Sequence, residues 1–224
     1  LTAWLTRIAP DQRSRDVRRD LNGTEAAVGL HRRLMALFPP HAGKDARARF
    51  GVLFRVEDTP TGVHILLQSA HEPDLDQLPT GYGKADTRSL DTLLGALRPG
   101  LTLHYRCVAS AVRKPGASTR RLYNLPPVVP LHGADADEWW LRQADTAGLK
   151  PFTHHSQPLD AARGTRTPQN APQQQRIQHA RTQFDGTAAI TDPELLRTKI
   201  TDGIGRGKAY GCGLLTIAPA REPA

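Results

Sequence analysis

Residues 202–215 read DGIGRGKAYGCGLL, with glycine at 203, 205, 207, 211 and 213 and cations at Arg206 and Lys208. Glycine lets backbone N–H groups approach an anion and turn through positive φ, so a loop of this composition can cradle a phosphate. Gly205 and Gly207 would allow the close approach, and Arg206 and Lys208 would add charge. A helix cap and a tight turn need only one or two glycines; five favour a ligand contact. The familiar nucleotide loops do not fit. A P-loop needs Gly-x-x-x-x-Gly-Lys-Ser/Thr, but Asp202 stands five residues before Gly207 and Ala209 follows Lys208. A dinucleotide turn joins a strand to a helix N-terminus, whereas here a helix is expected before the loop and a strand after it.

The partner suggested by charge is extended and anionic. The 224 residues carry a formal charge of +8, with 24 arginines against 6 lysines. The planar guanidinium grips phosphate with two hydrogen bonds, so the bias suits nucleic acid. A GC-rich genome would also raise the arginine share, but it does not explain where the charge sits. Residues 98–121 hold Arg98, Arg106, Arg113, Lys114, Arg120 and Arg121 and no acid. Residues 146–184 hold Lys150, Arg163, Arg166, Arg176 and Arg181 with Asp160 as the one acid. Like charges in such blocks repel unless a polyanion lies across them.

Several chemistries are excluded. The nine histidines form no His-Glu-x-x-His pattern, and no closely spaced acid pair could hold two magnesium ions, so no metal and no cofactor are expected. Cys107 and Cys212 are the only cysteines; they are read as small packing residues in a reducing cytoplasm. No apolar run approaches the roughly 18 residues of a membrane span, and Arg7 lies on the wrong side of the first apolar residues for a secretory signal.

The elements that must position these residues follow from periodicity. Thr2–Ala9 reads as a strand and residues 11–23 as a charged connection. Thr24 is the expected N-cap of a helix whose face is Ala27, Leu30, Leu34 and Leu37, stopped by Pro39-Pro40. Runs 50–57 and 63–69 form a hairpin, a short helix covers 89–97, and Leu101–Val112 is a strand. That order, βαββαβ, is the ferredoxin-like unit. A Pro- and Gly-rich stretch then marks a junction. A helix over 135–147, strands over 150–159 and 177–190, a helix opened by Asp192-Pro193-Glu194 and a last strand over 213–218 suggest a second such unit. The expectation is α+β with two tandem ferredoxin-like domains, 1–113 and 134–224. Residues 114–133 would be the linker and a possible first strand of the second. Trp139 and Trp140 are read as core, and the polar stretch 164–176 as either a disordered loop or a basic element that orders in an RNA groove, with Arg163, Arg166 and Arg176 as the contacts to test.

Three segments, GIGRGKAYGCGLLTIAP, GLHRRLMALFP and FRVEDTPTGVHILLQSA, resemble in order and spacing the CRISPR-associated RNA-processing endoribonucleases, in particular the type I-E (CasE) branch that serves Cascade. The resemblance implies two ferredoxin-like domains that bind the hairpin of a CRISPR repeat and cut once at its base without a metal. The 2′-hydroxyl attacks the adjacent phosphate, leaving a cyclic phosphate and a 5′-hydroxyl, and the product stays with the other Cascade subunits.

The catalytic histidine of that family falls on His31. It borders the buried helix face beside Leu30, and an ordinary imidazole pKa near 6.5 suits it as general base or acid. Arg176, ahead of Arg181, is the expected cationic helper on the phosphorane. Arg163, Arg166, Arg181, Arg206, Lys208, Gly205 and Gly207 are expected to bind RNA. One departure stands out: relatives carry a tyrosine one turn before this histidine, where this chain has Val28. That leaves open an RNA-binding Cascade subunit that does not cut. An unrelated enzyme using the glycine loop for a phosphate is the third alternative.

Overall fold

Two four-stranded antiparallel sheets carry the fold, in a computed structural model that describes residues 2–40, 43, 45–166 and 174–220. β1 (Trp4–Pro10) leads into α1 (Arg15–Leu21), α2 (Ala26–Met35) and the single turn α3 (Ala46–Arg49). The hairpin β2 (Leu53–Thr59) and β3 (Gly62–Ser69) follows, then β4 (Gly83–Ser89). α4 (Asp91–Gly95) leads to β5 (Thr102–Ala109). Two short strands, β6 (Val112–Arg113) and β7 (Val129–Pro130), pair around a segment that holds α5 (Ala117–Tyr123). The remainder is α6 (Ala134–Thr146), the long hairpin β8 (Leu149–Arg166) and β9 (Gln175–Ile190), α7 (Pro193–Asp202) and β10 (Leu215–Pro219).

The sheets run β2-β3-β1-β4 and β10-β5-β9-β8. Numbered within each sheet, both are 4-1-3-2, the ferredoxin-like order. The expected pair of such units is therefore present, but one strand changes owner. Leu101–Val112, expected to close the first unit, pairs with β9 and β10: Cys107 stands opposite Phe184 on one side and Leu215 on the other. Its alternate residues Leu103, Tyr105 and Cys107 are buried with Trp140 and Phe184, and that apolar stripe fixes its sheet. Trp140 stacks on Phe184 at 4.9 Å, so both tryptophans serve the core. The first sheet is closed instead by β4, a polar edge strand with no buried residue. Sheet membership thus parts the chain between Ser89 and Thr102, upstream of the stretch 114–133, which contributes α5 and the short β7 but no strand of either four-stranded sheet.

Other expectations are corrected locally. Residues 11–23 contain α1, whose Asp16 and Asp20 accept hydrogen bonds from Arg33 at 3.3 and 2.7 Å. Glu25, not Thr24, occupies the N-cap position of α2, without a side-chain cap bond. β8 runs on past Leu159 to Arg166, and β9 starts at Gln175. The strand pair therefore takes in both ends of the expected loop, and residues 167–173 lie outside the described residues. Asp192 caps α7 as expected, accepting from the backbone N–H groups of Glu194 and Leu195 at 2.9 and 3.0 Å.

One buried arginine ties the sheets together. Arg55 of β2 is 2% exposed. It donates across the junction to the carbonyls of Arg106 and Leu214 at 3.2 and 3.0 Å and to Thr216 Oγ1 at 2.8 Å. Glu57 balances its charge at 2.6 Å. Nearby, Gln68 Nε2 donates to the carbonyl of Ile200 at 2.6 Å. A guanidinium removed from water must have its donors satisfied, and here most of the acceptors belong to the other sheet.

Candidate active site and RNA interface

Leu30 and Leu34 anchor α2 in the first core at 3% and 0% exposure, and this sets the azimuth of His31. The imidazole is half-buried and faces the C-terminal glycine loop. Its ring lies 6.5 Å from Phe54 of β2, nearly parallel, and 6.3 Å from Tyr210 at 59°. Tyr210 in turn stacks on His179 of β9 at 5.3 Å and 22°. Residues far apart in sequence, from both sheets, thus form one ring cluster.

The glycine loop builds this cluster by close approach. Gly207 and Gly211 adopt left-handed φ of 72° and 80° and bracket a 3₁₀ turn, Lys208–Tyr210. A Cβ at Gly207 would stand 3.3 Å from His179 Cγ, and one at Gly211 3.3 Å from Phe54 Cε2. Glycine is required there by backbone angle and by space together, whatever ligand the loop meets. Lys208 lies against the same turn, its Nζ donating to the carbonyl of Asp202 at 2.7 Å. Burial, then the charge of Arg47, lowers its pKa. Arg206 is exposed beside a backbone bridge to Ser110, and Gly205 is exposed against Trp139.

A cleft of about 560 Å³ opens beside the cluster, lined by Thr24, Ala27, Phe54, Arg163, Arg181 and Tyr210 among others. Arg163 and Arg181 in that lining suit a phosphate; Asp20 and Asp160 line the same cleft, Asp20 being engaged by Arg33. Arg181 is partly engaged, its Nε donating to the carbonyl of Asp160 at 2.6 Å. Arg176 lies elsewhere. It pairs with Thr165 across the hairpin, and strand alternation puts it on the face opposite His179 and Arg181. The structure therefore brings together His31, Arg163, Arg181 and the Gly207 turn. It leaves Arg176, exposed, further along the hairpin, and Arg166 ends β8. Arg33, next but one to His31 in sequence, is tied into the first domain by Asp16 and Asp20 and lies over the Tyr82 ring at 5.5 Å.

Burial, followed by the charge of Arg206, lowers the pKa of His179, so its imidazole is neutral at pH 7. Burial pushes Cys107 and Cys212 up to about 12, which makes both thiols unreactive packing groups. Among the described residues, no group of three or more His, Cys, Asp or Glu side chains is placed to share a metal, and no helix is long and apolar enough to cross a membrane.

Three contributors escaped sequence reasoning. Tyr210 looks like a loop residue until the turn folds against His31. Glu25 accepts from Thr165 N at 2.9 Å and Thr165 Oγ1 at 2.7 Å, and these two hydrogen bonds lower its pKa. Val28 meets Gly164 so closely that a Cβ there would lie 2.4 Å from Val28 Cγ2. The helix that carries His31 is thus fastened to the hairpin that carries Arg163 and Arg181. The polar pairing of Glu25 with Thr165, 140 residues apart, leaves no periodic signal in a sequence.

Comparison with known proteins gives this geometry a context. The family described as CRISPR associated protein matches residues 3–219. The CRISPR-associated endoribonuclease Cse3 of Thermus thermophilus is 28% identical over 96% of this chain and all of its own length. The Cascade subunit CasE of Escherichia coli is 30% identical over 85% of this chain and 90% of its own. The solved structure of Thermus thermophilus Cse3 bound to an RNA representing a pre-cleavage complex superposes with a TM-score of 0.76 at 25% identity, covering 98% of this chain and 100% of that one.

Proposed function

The chain belongs to the CRISPR-associated protein family, type I-E CasE branch, and from that premise we propose how its own residues bind and cut a repeat. It is an endoribonuclease that holds the hairpin of a CRISPR repeat and cuts the precursor at the base of that hairpin. It then keeps the product as a Cascade subunit in the cytoplasm. Arg163 and Arg181 contact the phosphates nearest the cut, while Arg176 and Arg166 follow the stem outward. Arg206 and Lys208, with Gly205 and Gly207, border the strand on the other side.

His31 transfers the proton. The ribose 2′-oxygen attacks the adjacent phosphorus, the O2′–P bond forms and the P–O5′ bond breaks, leaving a 2′,3′-cyclic phosphate and a 5′-hydroxyl. His31 either takes the proton from the 2′-hydroxyl or gives one to the leaving 5′-oxygen. Both reacting oxygens belong to the RNA, and in this reading His31 moves the proton and an arginine stabilises the phosphorane, without a metal. Arg181 replaces Arg176 as the cation expected to stabilise the phosphorane, because it shares the cleft wall with Tyr210. One observation carries the reading: a half-buried imidazole held in a ring cluster beside a cleft walled by two arginines.

The test is a labelled repeat hairpin incubated with the protein in EDTA. Wild type should make one cut, and His31→Ala should bind normally and cut at least about a hundredfold more slowly. Unchanged cleavage removes His31 from the mechanism. A gel shift without any cut by wild type would leave only the RNA-binding subunit.

A further inference from the structure

The group in the ring cluster that still has chemistry to offer is Tyr210. Its ring is held from two sides, by His31 at 6.3 Å and His179 at 5.3 Å, and its backbone ends the turn between Gly207 and Gly211. Its side chain is partly exposed and lines the cleft with Arg163 and Arg181. Among the described residues no hydrogen bond uses its hydroxyl. Nor does that oxygen fall among the buried polar atoms left without a partner, and the residue is partly exposed at the cleft. A phenol whose ring is held on two sides at the edge of a cleft is a preorganised donor, which loses little freedom when an acceptor arrives.

Resting on the function proposed above, we infer that the Tyr210 hydroxyl donates a hydrogen bond to a non-bridging oxygen of the scissile phosphate, beside the proton held by His31. The surroundings fit a donor. Arg163 and Arg181 favour an anion in the cleft, Asp20 there being already engaged by Arg33, and the stacked His179 holds the ring. The hydroxyl keeps its proton throughout: it stabilises negative charge that grows on the phosphorane oxygens and takes no part in bond making. The alternation of β9 that turns Arg176 away leaves Arg163, Arg181 and Tyr210 as donors lining this cleft.

Tyr210→Phe keeps the ring and deletes the donor. Single-turnover cleavage of a repeat hairpin should fall about 10–100-fold, the loss expected of one hydrogen bond to a charged group, with RNA affinity and thermal midpoint within error of wild type. A packing role would not predict the second readout. Sulfur in place of the contacted non-bridging oxygen, in one phosphorothioate diastereomer, should slow wild type but cost Tyr210→Phe little more, because the contact is already gone. The other diastereomer should affect both proteins equally. Tyr210→Phe cutting at the wild-type rate overturns the inference while leaving the His31 mechanism intact, as do additive sulfur effects with both diastereomers. A wild-type protein that cuts no repeat hairpin overturns the functional reading and this inference together.

Discussion

β2–β3 and β8–β9 are the second and third strands of their sheets, yet the first pair spans 7 and 8 residues and the second 18 and 16. The short hairpin ends where its core ends. It turns Phe54 into the first core and sends Leu53 and Arg55 across the junction, Leu53 toward Gly203 and Arg55 to the carbonyl of Leu214. The long hairpin continues past its core, and the added length reaches back to α2 through Gly164 and Thr165. Strand length beyond what a core requires is available for other uses; here it carries Arg163 and Arg176 and holds the His31 helix. The same topology thus serves as a fixed joint in one half and as an arm in the other.

The largest effect should come from breaking the joint. Arg55→Ala strands Glu57 and the carbonyl acceptors of the second sheet, and removing one partner of a buried pair costs about 3–5 kcal/mol. Urea unfolding should show that loss; a change under about 1 kcal/mol would mean water replaces the guanidinium and the joint lies elsewhere. A smaller effect should follow from wedging the arm away from α2. Gly164→Ala places a methyl 2.4 Å from Val28 Cγ2, an overpacking of about 1–3 kcal/mol. It should slow cleavage more than it lowers the unfolding midpoint, and Val28→Ala in the same chain should restore the rate. Failure of that rescue would sever the arm from the His31 helix.

The smallest effect is a pH dependence on the arm side alone. His179 has a folded pKa below its unfolded one. The stability tied to its neutral form is complete above about pH 6.5 and is lost as pH falls through the depressed folded value. The thermal midpoint of wild type should therefore fall from pH 7 toward pH 5 more steeply than that of His179→Gln. Equal slopes would mean the stacked imidazole titrates freely.

Elements with a one-sided apolar pattern were legible in the sequence: the α2 stripe, the short hairpin, α6 and capped α7. β4 was not, because GKADTRS at a sheet edge buries no residue and so shows no alternation. α1 was not, because ion pairs to Arg33 hold it as much as Val17 does. The ownership of β5 escaped because its apolar stripe suits either sheet, and only partners some eighty to a hundred residues away decide it. At the site, residue type pointed to His31 and to a basic hairpin, while the choice of Arg181 over Arg176 depends on strand phase. The glycines of the C-terminal loop read as a ligand cradle, yet two of them are needed for packing against His179 and Phe54.

The ring cluster joins position 31 to position 210, and that separation has a temporal meaning. A ribosome adding about 5–20 residues per second makes the His31 helix roughly ten to forty seconds before it makes Tyr210. Throughout that interval the nascent chain has its imidazole but not the phenol, and for most of it not the arm either, so the ring cluster can close only when nearly the whole chain has been made.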